Sequence, residues 1–255
     1  PAFAQEYKEA YNSAIEAAKA KNYTQAYADF NKAAKLASAA NDKEIANKAI
    51  RVAAQIDYLV GKQLVQGEKF DEALKRFEQG IKLLPSYANN YEGKALALKK
   101  LERGEEAIQA YQTLIEFGKK NSNTEAVKSG EQGIRDYYIY LASSALGRKA
   151  EPSANDAREA LTHLEKLETI VALDADAYFY MAVAHNATGN YAQAVSSADK
   201  ALELHKGSRT DAAKIYFIKG EALMYNGNTA GAKEAFQNAT YGSYKSLAEH
   251  YLQTL

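Results

Sequence analysis

The clearest pattern of hydrophobic and polar positions lies in Ala175–Leu204, which reads as two short amphipathic helices joined by a tight turn at Gly189-Asn190. Counted from the turn aromatic Tyr191, a ring stands thirteen residues back at Tyr178 and a small residue nine back at Ala182. Ala194, Ala198 and Ala201 follow three, seven and ten residues on. Three and four are the helical neighbour spacings, so these alanines form one stripe on which a second helix can sit closely.

The same register recurs six times along the chain. An alanine stands three residues past each turn, at Ala26, Ala73, Ala107, Ala160, Ala194 and Ala232. Seven residues past the turn comes a bulky group at Phe30, Phe77, Tyr111, Leu164 and Phe236, with Ala198 the exception. Small residues match on the preceding helix at Ala14, Gly61, Ala95, Ala142, Ala182 and Gly220. Turn aromatics stand at Tyr23, Phe70 and Tyr191 and are replaced by Gly104, Ala157 and Thr229. Small residues at a crossing let two helices approach to about 8 Å, and the large residue beyond fills the groove toward the next pair. These positions are expected to be core.

This pattern resembles the tetratricopeptide repeat, a helix–turn–helix unit of about 34 residues that stacks into a superhelix. The resemblance implies an all-α, right-handed solenoid of about six repeats near 7–40, 54–87, 88–121, 135–174, 175–208 and 213–246. Residues 5–255 then form a single superhelical domain closed by a capping helix at 243–255, where Tyr244, Leu247, Ala248, Tyr251 and Leu252 make an apolar stripe.

Departures from even spacing carry their own expectations. Two intervals are thirteen residues longer than a repeat needs, both before a first helix. From Lys43 to Gln66 the apolar positions Ile45, Ala49, Val52, Ile56, Leu59 and Leu64 run without a break behind an N-cap at Asn41-Asp42, which predicts one helix of about 36 Å. The stretch from Thr124 to Leu146 is similar but holds Gly130 and Gly133, each costing about 1 kcal/mol relative to Ala, so a kink or short break is expected there. The fourth repeat carries an enlarged turn, Arg148–Asp156.

Composition narrows the function. Lys plus Arg equals Asp plus Glu at 32 each, so no global field draws the chain to nucleic acid. No apolar run approaches the roughly 18 residues of a membrane span. Cysteine is absent, which removes thiolate chemistry and cysteine metal sites. His163, His185, His205 and His250 share no metal-ligand spacing, and no nucleophile–base pair stands out, so the sequence predicts no metal, no cofactor and no enzyme. The run from Gly227 to Lys233 resembles a phosphate loop only superficially, since its spacing is wrong and no strand precedes it. Ala2-Phe3-Ala4 has the small-x-small form that precedes a signal-peptidase cut. It makes residues 1–4 a signal-peptide remnant and Gln5 the mature N-terminus of a periplasmic or secreted protein. The other reading is a boundary that merely falls in an alanine-rich segment.

The expected activity is a protein- or peptide-binding scaffold. In tetratricopeptide arrays the first helix of each repeat lines the concave, peptide-holding face. Carried onto this sequence, that face takes Tyr11, Tyr58, Glu92, Ile139, Phe179 and Phe217, then Ile15, Lys62, Leu96, Ser143, Val183 and Glu221 one turn on, with Tyr140 and Tyr225 as flanks. Tyr11 and Tyr58 stand where the carboxylate clamp of chaperone-binding members would begin, which argues against a chaperone tail as partner. A glycan or other small molecule is the alternative ligand, because rings stack on sugars as well as on side chains. The rings could instead turn inward as core. A second copy of the chain is a further expected partner, through an exposed helical edge or the C-terminal helix.

Overall fold

The computed structural model describes residues 2–149 and 151–255, with side chains from Gln5 onward, and these residues form helices and turns with no strand. Expectations that involve Pro1, Ala150 or the side chains of Ala2, Phe3 and Ala4 lie outside the described residues. The helices are α1 (Ala2–Lys19), α2 (Tyr23–Ala39), α3 (Lys43–Gln66), α4 (Phe70–Leu83), α5 (Ala88–Lys100), α6 (Gly104–Lys120), α7 (Thr124–Leu146), α8 (Ala154–Ile170), α9 (Ala175–Ala187), α10 (Tyr191–Leu204), α11 (Arg209–Tyr225), α12 (Thr229–Asn238) and α13 (Lys245–Thr254). A single 3₁₀ turn, Gly242–Tyr244, leads into α13. The chain divides into two compact units, Pro1–Gly133 and Ile134–Leu255.

One turn geometry does most of the connecting. The links α1–α2, α2–α3, α3–α4, α5–α6, α6–α7, α9–α10 and α11–α12 are each three residues long. Their middle residue is left-handed every time: Lys21, Asn41, Glu68, Glu102, Ser122, Gly189 and Gly227. The residue after it donates its N–H back into the preceding helix, as Asn22 to the Ala17 carbonyl at 2.9 Å and Lys69 to the Leu64 carbonyl at 2.8 Å. This hydrogen bond satisfies a carbonyl that a helix end would otherwise leave open. The phosphate-loop-like run is one of these turns, in which Asn228 Oδ1 accepts from the Gly231 N–H at 2.9 Å and caps α12.

In the first unit, antiparallel hairpins α1–α2, α3–α4 and α5–α6 pack side by side. Phe77 of α4 is 1% exposed. A Cβ added at Gly61 of α3 would lie 2.6 Å from its ring, and one at Gly93 of α5 would lie 2.2 Å away. The ring therefore fills a slot that two glycines on two different helices leave open. The extended α3 begins where Asp42 Oδ1 accepts from the Ile45 N–H at 3.1 Å, and Tyr7 of α1 donates its O–H to Asp42 Oδ2 at 2.8 Å. The buried face of α3 is made largely of small residues (Ala46, Ala49, Ala53, Ala54 and Gly61), whereas Leu59, expected within the apolar run, is exposed. Small residues win that face because neighbouring helices approach it from more than one side.

Of the two expectations at Gly130 and Gly133, the short break does not occur, and α7 is helical from Thr124 to Leu146. A Cβ at Gly133 would meet the Tyr111 ring at 2.3 Å, and one at Gly130 would meet Ile115 Cγ1 at 2.6 Å. Close packing on α6, rather than flexibility, accounts for both glycines.

In the second unit, Ala160, Ala194 and Ala232 are fully buried, and Phe236 packs where Gly220 leaves room. Tyr251 of α13 lies flat on Phe236, 4.7 Å between centroids and 3° between planes. Of the apolar stripe expected at 243–255, Tyr244, Ala248, Tyr251 and Leu252 join that core, but Leu247 points away and is 51% exposed.

Gly93→Ala should lower stability by about 1–3 kcal/mol although alanine is the better helix former, because the Phe77 ring has nowhere to retreat. Gly67→Ala, whose Cβ would find only ordinary contacts at 3.6 Å, should instead raise stability by about 0.5–1 kcal/mol. Denaturant midpoints measured on the two variants check the pair, and equal shifts would refute the wedge.

Candidate protein-binding faces

The residues expected to contact a partner sit on first helices, and their surroundings decide which of them a partner can reach. In the first unit, Tyr11 of α1 is half-buried with its ring edge-on to Phe30, at 5.4 Å and 80°. Tyr58 of α3 is held 6.2 Å from Phe77 and 6.1 Å from Tyr87, the latter edge-on at 84°. Both rings show one edge and are fixed on the other by core aromatics. Lys62 stands one turn beyond Tyr58 and is exposed. Leu96 on α5 is 41% exposed. Glu92 is half-buried and accepts a short hydrogen bond from Ser129 of α7, so part of its polar capacity is spent inside the fold.

In the second unit, Tyr140 on α7 and Tyr225 on α11 are each 55% exposed. Tyr225 stacks on Tyr191 at 5.4 Å and 26°, which leaves its other face open. Phe179 of α9 is half-buried, with Lys214 Nζ 4.7 Å above its ring and the same ammonium 2.8 Å from Asp176 Oδ1. Phe217 departs from the expected exposed column, being 9% exposed. Its ring lies 5.3 Å from Tyr244, 5.6 Å from Phe236 and 5.8 Å from Tyr251. The C-terminal segment covers it, so Phe217 serves the core of this last hairpin. Glu221, one turn on, is half-buried and accepts from the Tyr251 hydroxyl at 3.4 Å. Burial pushes its carboxyl above the usual range, and nearby Glu151 adds to that rise.

The sequence reading missed a polar cluster inside the first unit. Asp57 of α3 is fully buried. Arg76 Nη1 of α4 donates to Asp57 Oδ1 at 3.3 Å, and the Arg76 guanidinium lies 5.6 Å above the Tyr27 ring of α2. Burial pushes the Asp57 carboxyl up to about 6, against the opposing pull of Arg76 and the Tyr27 hydroxyl. Asn90 of α5, also fully buried, donates from Nδ2 to the Ala54 carbonyl at 3.1 Å. One signal was readable: Ala53, Asp57 and Gly61 repeat at four-residue spacing, which places the carboxyl on a small-residue core face.

No group of three or more His, Asp or Glu side chains placed to hold a metal occurs among the described residues. A groove of about 250 Å³ between α10, α11 and α12 is lined in part by Asp199, Tyr216, Lys219 and Asn238. The Lys219–Asp199 ion pair at 2.7 Å closes on itself there.

The sequence signature of the tetratricopeptide repeat family matches residues 58–123 and 153–209. No curated protein sequence matches the chain. Among solved structures, the chain is similar to the C-terminal part of a tetratricopeptide repeat-containing protein from Cytophaga hutchinsonii, at 18% identity over 90% of this chain and 78% of that one, with a TM-score of 0.47. It is also similar to YrrB, described as a repeat protein with an unusual peptide-binding site, at 17% identity over 79% and 92% of the two chains and a TM-score of 0.43. A third similar structure is the APC/C assembly Cut9–Hcn1, at 17% identity over 73% of this chain and a TM-score of 0.38, where the chain spans 33% of the matched one.

Asp57 makes stability depend on pH in a definite direction. The folded protein holds a proton on this carboxyl up to about pH 6, whereas an unfolded aspartate releases it near 3.9. The stability it contributes is therefore full below about pH 4 and is lost as pH rises through 6. Asp57→Asn should be more stable than the parent at pH 7, with the gap narrowing toward pH 4. A gap that stays constant across this range in urea titrations would refute the assignment.

Proposed function

We propose, on the premise that the chain carries tetratricopeptide repeats, that it is a non-enzymatic protein-interaction scaffold that holds an extended segment of its partner against its first-helix faces. The observation that carries this reading is the set of aromatic edges fixed from behind. Tyr58 is held by Phe77 and Tyr87, Tyr225 is stacked on Tyr191, and Phe179 lies under Lys214. A ring that is already immobilised loses little rotamer freedom on binding, and rigid aromatics are the usual anchors of protein interfaces. Lys62 and Leu96 supply a charge and an apolar surface beside them in the first unit. Export to the periplasm or the exterior belongs to the same proposal and is supported by the Ala2-Phe3-Ala4 pattern alone.

Peptides selected from a random library against the full chain give the direct test. Phe179→Ala and Tyr58→Ala should each weaken the selected peptide by about 2 kcal/mol in the folded protein, with a smaller loss of stability than Phe217→Ala because each ring is only partly packed. Phe217→Ala should instead cost about 3–5 kcal/mol of stability. Failure of any library peptide to enrich, or full affinity in both ring variants, would overturn the reading. For export, mass spectrometry of protein from its native cells should find Gln5 as the first residue, and an intact cytosolic form that extends upstream would overturn it.

A further inference from the structure

The second unit holds one carboxylate that folding has set among rings without giving it a cation. Glu221 stands four residues before Tyr225 on α11, so the two side chains share a face. The Tyr251 hydroxyl reaches Glu221 Oε1 at 3.4 Å. That hydroxyl cannot wander, because its ring is stacked flat on Phe236. Tyr225 shows 55% of its surface to solvent while its back rests on Tyr191.

Charge matching elsewhere in this unit makes Glu221 stand out. Lys214 pairs with Asp176 at 2.8 Å, Lys219 with Asp199 at 2.7 Å, and Arg148 with Glu159 at 2.6 Å. No lysine, arginine or histidine pairs with Glu221 among the described residues. The charged group that does act on it is a second acid, Glu151. In a chain with 32 cationic and 32 acidic side chains, Glu221 is thus set beside a second acid rather than a cation. A half-buried carboxylate without a counter-ion is costly, and a cation delivered by a ligand would relieve that cost. The open face of a tyrosine is attractive to the same cation.

We propose that the Glu221–Tyr225–Tyr251 face docks an arginine side chain of a bound peptide, with the guanidinium hydrogen-bonded to Glu221 and laid on the open face of Tyr225. This deepens the peptide-binding reading and rests on it. Arginine fits better than lysine, because a planar guanidinium can donate to a carboxylate in plane and stack on a ring at the same time, whereas an ammonium is a compact, strongly hydrated point charge.

The test uses the full chain and two fluorescein-labelled probes, Gly-Tyr-Arg-Gly-Tyr-Arg-Gly and its twin with citrulline in place of both arginines. Citrulline keeps the shape of arginine and removes its charge. By anisotropy at low salt, the arginine peptide should bind about tenfold more tightly than its twin. Glu221→Gln should abolish that ratio by weakening the arginine peptide alone. Glu203→Gln, an exposed change of the same net charge on α10, should leave the ratio intact. The glutamine variant removes a half-buried charge without changing shape, and its melting curve verifies that it folds. Equal binding of the two probes by the wild-type chain overturns the arginine assignment and leaves the peptide reading standing. Absence of binding by either probe overturns both. Equal loss in the two glutamine variants assigns the preference to overall charge and overturns the site. Concentration-dependent self-association that Glu221→Gln removes would make a second copy the occupant and overturn the peptide assignment.

Discussion

The close approach of helices at positions with little or no side chain is the constraint on which the rest of the structure depends. Phe77 occupies a slot that exists only because Gly61 and Gly93 leave it open on two different helices. The same device recurs as Tyr111 against Gly133 and Phe236 against Gly220. Each contact ties a ring to the helix it faces, and Phe77 ties its own hairpin to the next. Hairpins of this size cannot bury an apolar face alone, so such shared rings turn separate hairpins into one cooperative unit. Tyr58, which lies against Phe77, inherits its orientation from this packing.

Much of the fold was legible because the packing has a period. An alanine or glycine must recur wherever two helix axes come close, and the eye can count that spacing. The N-cap at Asp42 and the length of α3 were legible for the same reason, since capping and periodicity are local. The continuity of α7 was not. Glycine is the poorest helix former among residues other than proline, and only the sight of Tyr111 and Ile115 pressed onto Gly133 and Gly130 shows why the helix holds. Exposure of Leu59 and Leu247 escaped notice because hydrophobic periodicity tells which residues could be inside and not which face a neighbour will take.

The candidate binding faces were harder to read, for a different reason. Position on a first helix is a local property, but exposure depends on what arrives from elsewhere in the chain. Phe217 and Phe179 stand at equivalent places in their repeats, yet Phe217 disappears beneath the segment that holds Tyr244 and Tyr251. Glu92 was expected in the partner-facing column and is engaged by Ser129, thirty-seven residues away. Asp57 was overlooked because an acid within an apolar run is read as the polar edge of a helix, when here it faces Arg76 and Tyr27 inside the fold. These misses share one cause, which is long-range partnership that no spacing rule encodes.

The uniformity of the three-residue turns has a consequence for how the chain can vary in length. A turn whose middle residue is left-handed and whose last residue bonds back into the preceding helix admits no extra residue without losing that bond. The connection from α7 to α8 is built differently. It runs from Gly147 to Ser153, ends in a capping box formed by Ser153 and Asp156, and is braced by Arg148 against Asp156 and Glu159. Its ends are fastened by side chains rather than by the turn backbone, so the loop between them can lengthen while α7 and α8 keep their register. Compared with the three-residue turns, this link will carry insertions, affinity tags or a grafted recognition sequence at lower cost to the fold.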